Sequence, residues 1–362
     1  MEIRLNRAEL LAELVPMQGI VERRTTIPAL SHILLTVAED GLHLAATDLD
    51  VSLTSFCDGE VKETGSIAIQ AKKLLEIMRA ASGDDVTFRV DQEGQLTILA
   101  GPSLFKIRGL AAAEFPTLPT VDGPPLELNF RTYRNLIAKI FFAISNEESR
   151  FQLSGALMRF GKDSLTLVAT DGHRLALVET KVDGMEASDG VIVPRKALQE
   201  LQRFEGEDLS FRRSEHHLCF KIGRRQLICR ILEGTFPDFE RVVAKNNDKV
   251  VIVDRRWLAS VVQRISLLTG ERARAIRLEL DDDRLILSSH NDLGEAREEV
   301  PIEYSGGRLE IGLNPDYMGQ FLGAMETEKV RLELKDESSQ CLALPVDGLE
   351  LRHLCVIMPI RL

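Results

Sequence analysis

A chain of 362 residues is longer than one ordinary hydrophobic core and suits two to four domains. Its 44% hydrophobic and 28% charged content is that of a soluble globular protein; no apolar run approaches a membrane span, and the strand-like start Met1-Glu2-Ile3-Arg4 is unlike a signal peptide. A net charge of −11 argues at first sight against nucleic acid, and five cysteines, odd in number and without CxxC spacing, read as buried thiols of a reducing cytoplasm, not as a disulfide frame or a zinc site.

In chain order the pattern is strand, helix, three strands, and it then begins again. Residues 2–5 alternate, and residues 7–22 have helical spacing with Leu10, Leu11, Leu14, Val15 and Ile20 on one face. Strands are expected at 33–37, 42–46 and 51–56, with Glu39-Asp40-Gly41 and Asp48-Leu49-Asp50 as turns. A second unit follows with strand 66–69, helix 72–81 and strands 86–90, 96–100 and 104–110. A third places its strand at 126–130, its helix at 133–142 and its trio at 155–160, 164–169 and 175–180. The fourth has strand 191–193, helix 195–204 and strands near 209–212, 218–222 and 226–232. The fifth opens with strand 250–253 and helix 257–268; the sixth opens at 309–313 and ends in strand 354–357. Linkers are expected near 117–125, rich in Pro and Gly, and at the polar stretch 245–249.

Register marks lie about 120 residues apart, as expected of a repeat. Ala46-Thr47-Asp48 returns as Ala169-Thr170-Asp171 and, weakened, as Ser289-His290-Asn291. The same offsets relate Ala71 to Pro194 and Asn314, Leu75 to Leu198 and Met318, and Met78 to Leu201 and Phe321. Six units, two to a domain, give three domains. Such a chain leaves strand edges open at both ends, so head-to-tail self-association, closing a ring or growing a filament, is physically sensible.

The charge is divided by structural role. Windows 7–24, 71–81, 131–141, 194–204, 254–264 and 314–325, which hold the six helices, carry +8 together and leave −19 for the rest of a chain of net −11. If every unit turns its helix to one side, that side is positive. Arg24, Lys72, Lys73, Arg79, Arg134, Lys139, Arg195, Lys196, Arg203, Arg255, Arg256 and Arg264 would then share a surface. Diffuse cations without interleaved aromatics suit phosphate contact without base reading.

Motifs for chemistry are sparse. Asp171 and His173 in Thr170-Asp171-Gly172-His173-Arg174-Leu175 suggest a dyad, with Ser154 or Ser164 as nucleophile, but Asp-Gly between two apolar strands is first a hairpin turn. Thr47-Asp48-Leu49-Asp50 occupies the same place without histidine. No GxSxG, HExxH, P-loop or GxGxxG occurs. The terminus from Cys355 to Leu362 stays apolar where chains usually fray, and Met358 and Pro359 could line an adaptable peptide pocket. A hydrolase and a scaffold binding only proteins stand as alternatives to a DNA-associated ring.

Along essentially its whole length the chain resembles the bacterial DNA polymerase III beta subunits, the sliding clamps. The resemblance is carried by Thr26-Ile27-Pro28-Ala29-Leu30, Ala46-Thr47-Asp48-Leu49, Ala169-Thr170-Asp171-Gly172-His173-Arg174-Leu175, Gly234-Thr235-Phe236-Pro237-Asp238-Phe239 and the terminal Val356-Ile357-Met358-Pro359-Ile360-Arg361-Leu362. It implies an α+β fold of three similar clamp domains, here 1–122, 123–247 and 248–362, each of two strand-helix-three-strand units. It also implies a head-to-tail homodimer closing a ring around non-specific duplex DNA, with helices lining the hole, no catalytic site, no cofactor and no metal. A peptide pocket between the second and third domains would receive short linear motifs of the polymerase III alpha subunit, the clamp loader, other polymerases and mismatch-repair or ligase proteins. Carried over by position, its walls are Leu153, Thr170, Gly172, His173, Arg174, Leu175, Pro237, Arg241, Val242, Asn314, Tyr317, Val356, Met358, Pro359 and Ile360. Ala273 aligns where the family often has an aromatic, which would open the pocket there. Arg24, Lys72 and Arg79 match basic DNA-contacting positions, and Asn146 sits in a contacting loop beside the acidic Glu147. Phe105, Leu267 and Leu268 match the dimer seam.

Overall fold

A lead strand followed by a helix appears six times in the computed structural model, which describes residues 1–362 apart from 23, 148, 184–186, 244, 271–273 and 347–350. The first two repeats are β1 (Glu2–Asn6), α1 (Arg7–Ile20), β2 (His32–Ala38), β3 (Gly41–Thr47), β4 (Val51–Cys57) and an added β5 (Gly59–Glu63), then β6 (Gly65–Gln70), α2 (Ala71–Ala80), β7 (Asp85–Val90), β8 (Gln95–Ala100) and β9 (Ser103–Arg108). The next two are β10 (Leu126–Asn129), α3 (Phe130–Ile140), β11 (Gly155–Gly161), β12 (Ser164–Thr170) and β13 (Arg174–Lys181), then β14 (Ser188–Pro194), α4 (Arg195–Leu201), β15 (Asp208–Arg213), β16 (His217–Ile222) and β17 (Arg225–Arg230). The last two are β18 (Lys249–Asp254), α5 (Arg255–Ile265), β19 (Ile276–Asp281), β20 (Arg284–Asn291) and β21 (Gly294–Pro301), then β22 (Leu309–Leu313), α6 (Pro315–Ala324), β23 (Lys329–Leu334), β24 (Cys341–Val346) and β25 (Arg352–Ile357).

The repeats exchange their first strands. Four antiparallel sheets run β5-β1-β7-β8-β9, β10-β15-β16-β17-β4-β3-β2-β6, β14-β11-β12-β13-β25-β24-β23-β18 and β21-β20-β19-β22. Each trio is therefore completed by the lead strand of the neighbouring repeat: β1 joins β7-β8-β9, while β6 joins β2-β3-β4. A single repeat cannot close its own ladder, so pairs of repeats must fold together. Trios of different pairs also fuse edge to edge, β17 on β4 and β13 on β25. As a result the backbone divides into two compact units, residues 1–133 with 196–231, and residues 134–195 with 232–362.

Local chemistry starts the helices. Asn6, Asn129, Asp254 and Asn314 each accept backbone N–H groups of the first helical turn, at 2.7 to 3.3 Å. Two first-turn arginines then reach carbonyls in the last turn of another helix and just beyond it: Arg7 donates to Met78 and Gly83, and Arg255 to Leu322 and Thr327. Leu75, Leu198, Met318, Met78, Leu201 and Phe321, the repeat marks, are all buried. In the second unit α5 and α6 supply Leu258, Val261, Ile265, Met318 and Phe321 to a core shared with strands of both its sheets. All five cysteines are buried and free, and burial pushes the Cys57 and Cys341 thiols up to about 12.

Candidate functional site

The β12–β13 turn is built by its own side chains. The Asp171 carboxylate accepts the N–H groups of His173 and Arg174, each at 3.0 Å, and the Arg174 Nε at 3.1 Å. Thr170 Oγ1 accepts from the Gly172 N–H and donates to the Arg174 carbonyl. Gly172 has φ +88°, a left-handed conformation that favours glycine, and the Arg150 guanidinium lies over it, 2.4 Å from where a Cβ would stand. Asp48 accepts the Asp50 and Val51 N–H groups in the same way, and Asn291 accepts that of Leu293. Asp171 is thus a turn cap, and Ser154 Oγ is spent on the Phe151 carbonyl at 2.6 Å, not on His173.

Behind the turn, Arg174 is 8% exposed and ties together groups distant in sequence. Besides Asp171 it binds the Gln320 side chain and the Phe142 carbonyl, and its guanidinium lies 4.3 Å over the Tyr317 ring. Sequence reading placed Arg174 and Tyr317 at the site, but missed Phe142, Gln320 and Arg150, which hold them.

An apolar platform adjoins the turn. The cross-strand row Leu157–Val168–Leu177–Leu354 and the pair Leu175–Val356 form one cluster with Phe239 and Leu342. Phe236, Val242 and Val243 pack against it. Leu153, Thr170, Leu175 and Val356 are buried beneath the surface, whereas Gly172, His173, Pro237, Arg241 and Met358 are exposed and Val242, Asn314, Tyr317, Pro359 and Ile360 half-buried. The terminal segment is anchored by Met358 N–H to the His173 carbonyl (2.9 Å) and Ile360 N–H to the Gly312 carbonyl (2.8 Å). Met358, Pro359 and Ile360 line a cleft of 720 Å³ with Gly312, within the range of ligand sites. Ala273 lies outside the described residues.

The repeat carries the same rows in the first unit, with different chemistry. There Leu34–Ala45–Thr54–Gln226 and Ser52–Ile228 occupy the matching positions. Leucines 175, 177 and 354 are replaced by Ser52, Thr54 and Gln226, so only the second unit offers a continuous apolar floor.

Of the cations, Arg24, Lys72, Lys73, Arg79 and Arg203 are exposed, as is Asn146. Lys73 and Arg203 pair with Glu76 and Glu200, at 2.6 and 2.7 Å. Lys196 binds Asp48 and the Ile20 carbonyl, and Arg195 donates to the Ile144 carbonyl while stacking on Phe141. Lys139 corrects the sequence reading: its side chain is 1% exposed, with the ammonium 3.2 Å from Glu326, and it does not reach a surface. Burial of the helix face that carries it, together with a carboxylate brought in beyond α6, removes it from any phosphate-binding set.

Two trio edges are unpaired among the described residues, β9 in the first unit and β21 in the second. Leu104 is 57% exposed on β9, and Leu293 is 89% exposed at the turn into β21. Phe105 is half-buried. Leu267, on the 3-10 turn Ser266–Leu268, is 77% exposed, and Leu268 lies against Gly294 at the start of β21.

Comparison with known proteins covers the chain end to end. Residues 1–119, 127–238 and 240–361 match the models of the N-terminal, central and C-terminal domains of the DNA polymerase III beta subunit. The beta sliding clamps of Pseudomonas aeruginosa and Caulobacter vibrioides are 36% and 35% identical, with both chains fully covered. A crystal structure of the P. aeruginosa clamp bound to griselimycin has a TM-score of 0.94 at 36% identity, covering all of both chains. The Bacillus subtilis clamp has a TM-score of 0.95 at 26% identity, over 100% of this chain and 99% of that one.

Proposed function

We propose that this chain, which belongs to the DNA polymerase III beta subunit family, the beta sliding clamps, closes a ring with a second copy of itself by pairing β9 of one copy with β21 of the other. Its task follows from that membership: it is a processivity factor that encircles duplex DNA and tethers the replicative polymerase through a hydrophobic peptide pocket, with no catalytic activity of its own.

One observation carries the ring closure. The first unit joins two trios with Val51 opposite Cys229, and the second joins two with Arg174 opposite Ile357. Followed through the hairpin registers of the repeat, both joins map onto Gly294 opposite Ile107. That register sets Glu295 against Lys106 and Ala296 against Phe105, and brings Phe105 and Ile107 to the side of Leu267 and Leu268. Opposite charges meet directly across the seam, a pairing that favours this register over a slipped one.

The domains are then residues 1–122, 123–247 and 248–362. The platform of Leu175 and Val356, with Gly172, His173, Met358, Pro359 and Ile360 around it, is the pocket for short linear motifs of the polymerase III alpha subunit, the clamp loader, and other polymerases and repair proteins. Arg24, Lys72, Lys73, Arg79, Arg203 and Asn146 contact DNA phosphates, with Arg195 and Lys196, half-buried and bonded to backbone carbonyls, as weaker contributors. Lys139 is excluded. Diffuse contacts of this kind hold the duplex loosely while topology retains it, which permits sliding. The cytoplasm is the expected compartment; no helix among the described residues is long and apolar enough to cross a membrane.

The deciding experiment is loading onto nicked circular DNA. The protein should stay on the circle and leave after linearisation. Retention on linear DNA would refute encirclement.

A further inference from the structure

We propose that the open edge of β18 is a second docking site, which takes a basic, extended peptide segment of a partner protein as an added antiparallel strand. Lead strands in this fold are normally covered. The outer edges of β6, β14 and β22 each carry a bridge, from Leu110, Leu232 and Ile360. β1 carries a whole strand, β5, with Glu2 opposite Glu63 and Arg4 opposite Glu60. For β10 the corresponding segment includes residues 184–186, outside the described ones. For β18 it is described throughout, and it does not pair.

Backbone alternation identifies the open groups. Arg7 N–H donates to the Asp84 carbonyl and Val90 N–H to that of Met1, so Ile3 and Leu5 face β7 while Glu2 and Arg4 face β5. Arg255 N–H donates to the Glu328 carbonyl in the equivalent place. Val251 and Val253 therefore face β23, and Val250 and Ile252 turn their N–H and C=O groups outward. The segment that follows β21, as β5 follows β4, is diverted into the core: Ile302 and Tyr304 are 8% and 6% exposed. Ile302 N–H donates to the Asp283 carbonyl, and Asp283 N–H to that of Tyr304.

A cleft of 860 Å³ opens beside this edge, bounded by β18 and residues 298–303. Val250, Ile252, Trp257 and Pro301 make its accessible apolar surface, and Ile252 is 43% exposed. Asp254, Glu298, Glu299 and Glu303 line it against one cation, Lys329. Glu298 is partly neutralised by Arg264 at 2.6 Å, while Glu299 and Glu303 stand exposed. Side chains of an added strand alternate, one set meeting Ile252 and Trp257 and the other the carboxylates. Charge complementarity selects lysine- or arginine-rich segments, and strand addition supplies the affinity through main-chain bonds.

The test uses the full-length protein and two acetylated, amidated hexapeptides, Lys-Val-Lys-Thr-Lys-Val and its counterpart with glutamate for lysine. Fluorescence anisotropy reads affinity, and hydrogen–deuterium exchange reads protection of residues 249–254. The lysine peptide should bind, protect that segment and lose affinity as salt is raised; the glutamate peptide should not bind. Glu299→Lys with Glu303→Lys, both on the surface, should weaken binding roughly tenfold, about the loss of one full charge-assisted contact. Ile252→Pro removes one outward N–H and should abolish protection. Equal binding of both peptides, no protection of 249–254, or protection that appears on dimerisation alone would overturn the proposal, the last by assigning the edge to a second copy.

Discussion

Lys106→Glu tests the seam directly. Lys106 and Glu295 are both exposed in the single chain, so neither substitution disturbs a core. An opposite-charge pair directly across two strands contributes about 0.2–1 kcal/mol, and like charges cost a similar amount. Reversal therefore costs about 1 kcal/mol at each seam. A ring of two copies has two seams, giving about 2 kcal/mol or roughly a 30-fold weaker dimer at about 1.4 kcal/mol per decade. Sedimentation equilibrium on Lys106→Glu, Glu295→Lys and the double variant reads it. Each single variant should weaken the dimer, and the double variant should recover most of the loss. A pairing of Lys106→Glu with Glu299→Lys should not recover it, because Glu299 lies away from Lys106 in this register. An unmoved single variant, or a double variant as weak as the singles, refutes the register inferred from the two internal joins.

Leu267→Ala with Leu268→Ala should yield monomers, and light scattering that still gives a mass near twice 40.4 kDa would refute their place at the seam. Arg174→Ala removes one partner of a buried ion pair and should cost about 3 kcal/mol or more, lowering the urea midpoint and partner-peptide affinity together; a variant with the normal midpoint refutes the tethering role. His353 is 3% exposed, and burial first, then the Lys139 ammonium, lowers its pKa from 6.5 to about 4. A histidine depressed in the folded state contributes stability present above pH 6.5 and lost as pH falls towards 4, about 3 kcal/mol in all. His353→Leu should flatten that part of the acid slope in urea titrations; an unchanged difference between wild type and variant across the window refutes the assignment.

Most elements were legible because their signals are local. Asn6, Asn129, Asp254 and Asn314 sit at helix starts, and Asp48 and Asp171 at turns, where a side chain bonds to backbone within three residues. Helix ends were less clear. α1 stops at Ile20, not residue 22, because the Glu22 N–H is taken by the Leu30 carbonyl. The helix expected over 257–268 ends at Ile265 and tightens into the 3-10 turn Ser266–Leu268. β5 was not anticipated, since Gly59–Glu63 is mostly polar and shows no alternation; its pairing with β1 creates the strand. Helical spacing sets Lys139 with other basic residues, as on a solvated face, and nothing near it in sequence announces Glu326 or His353.

By itself the sequence determined the sixfold repeat, the positions of helices and turns, and the excess of positive charge on the helical windows. These rest on periodicity and on bonds spanning a few residues, which any stretch of chain expresses wherever it lies. Only the tertiary structure decided that neighbouring repeats exchange lead strands, that Ser52, Thr54 and Gln226 make one trio join polar while Leu175, Leu177 and Leu354 make the other apolar, and that β18 keeps an open edge. Strand pairing is the reason. Every backbone N–H and C=O along a strand can bond to any edge brought against it, so the choice of partner is settled by packing between residues far apart in the chain.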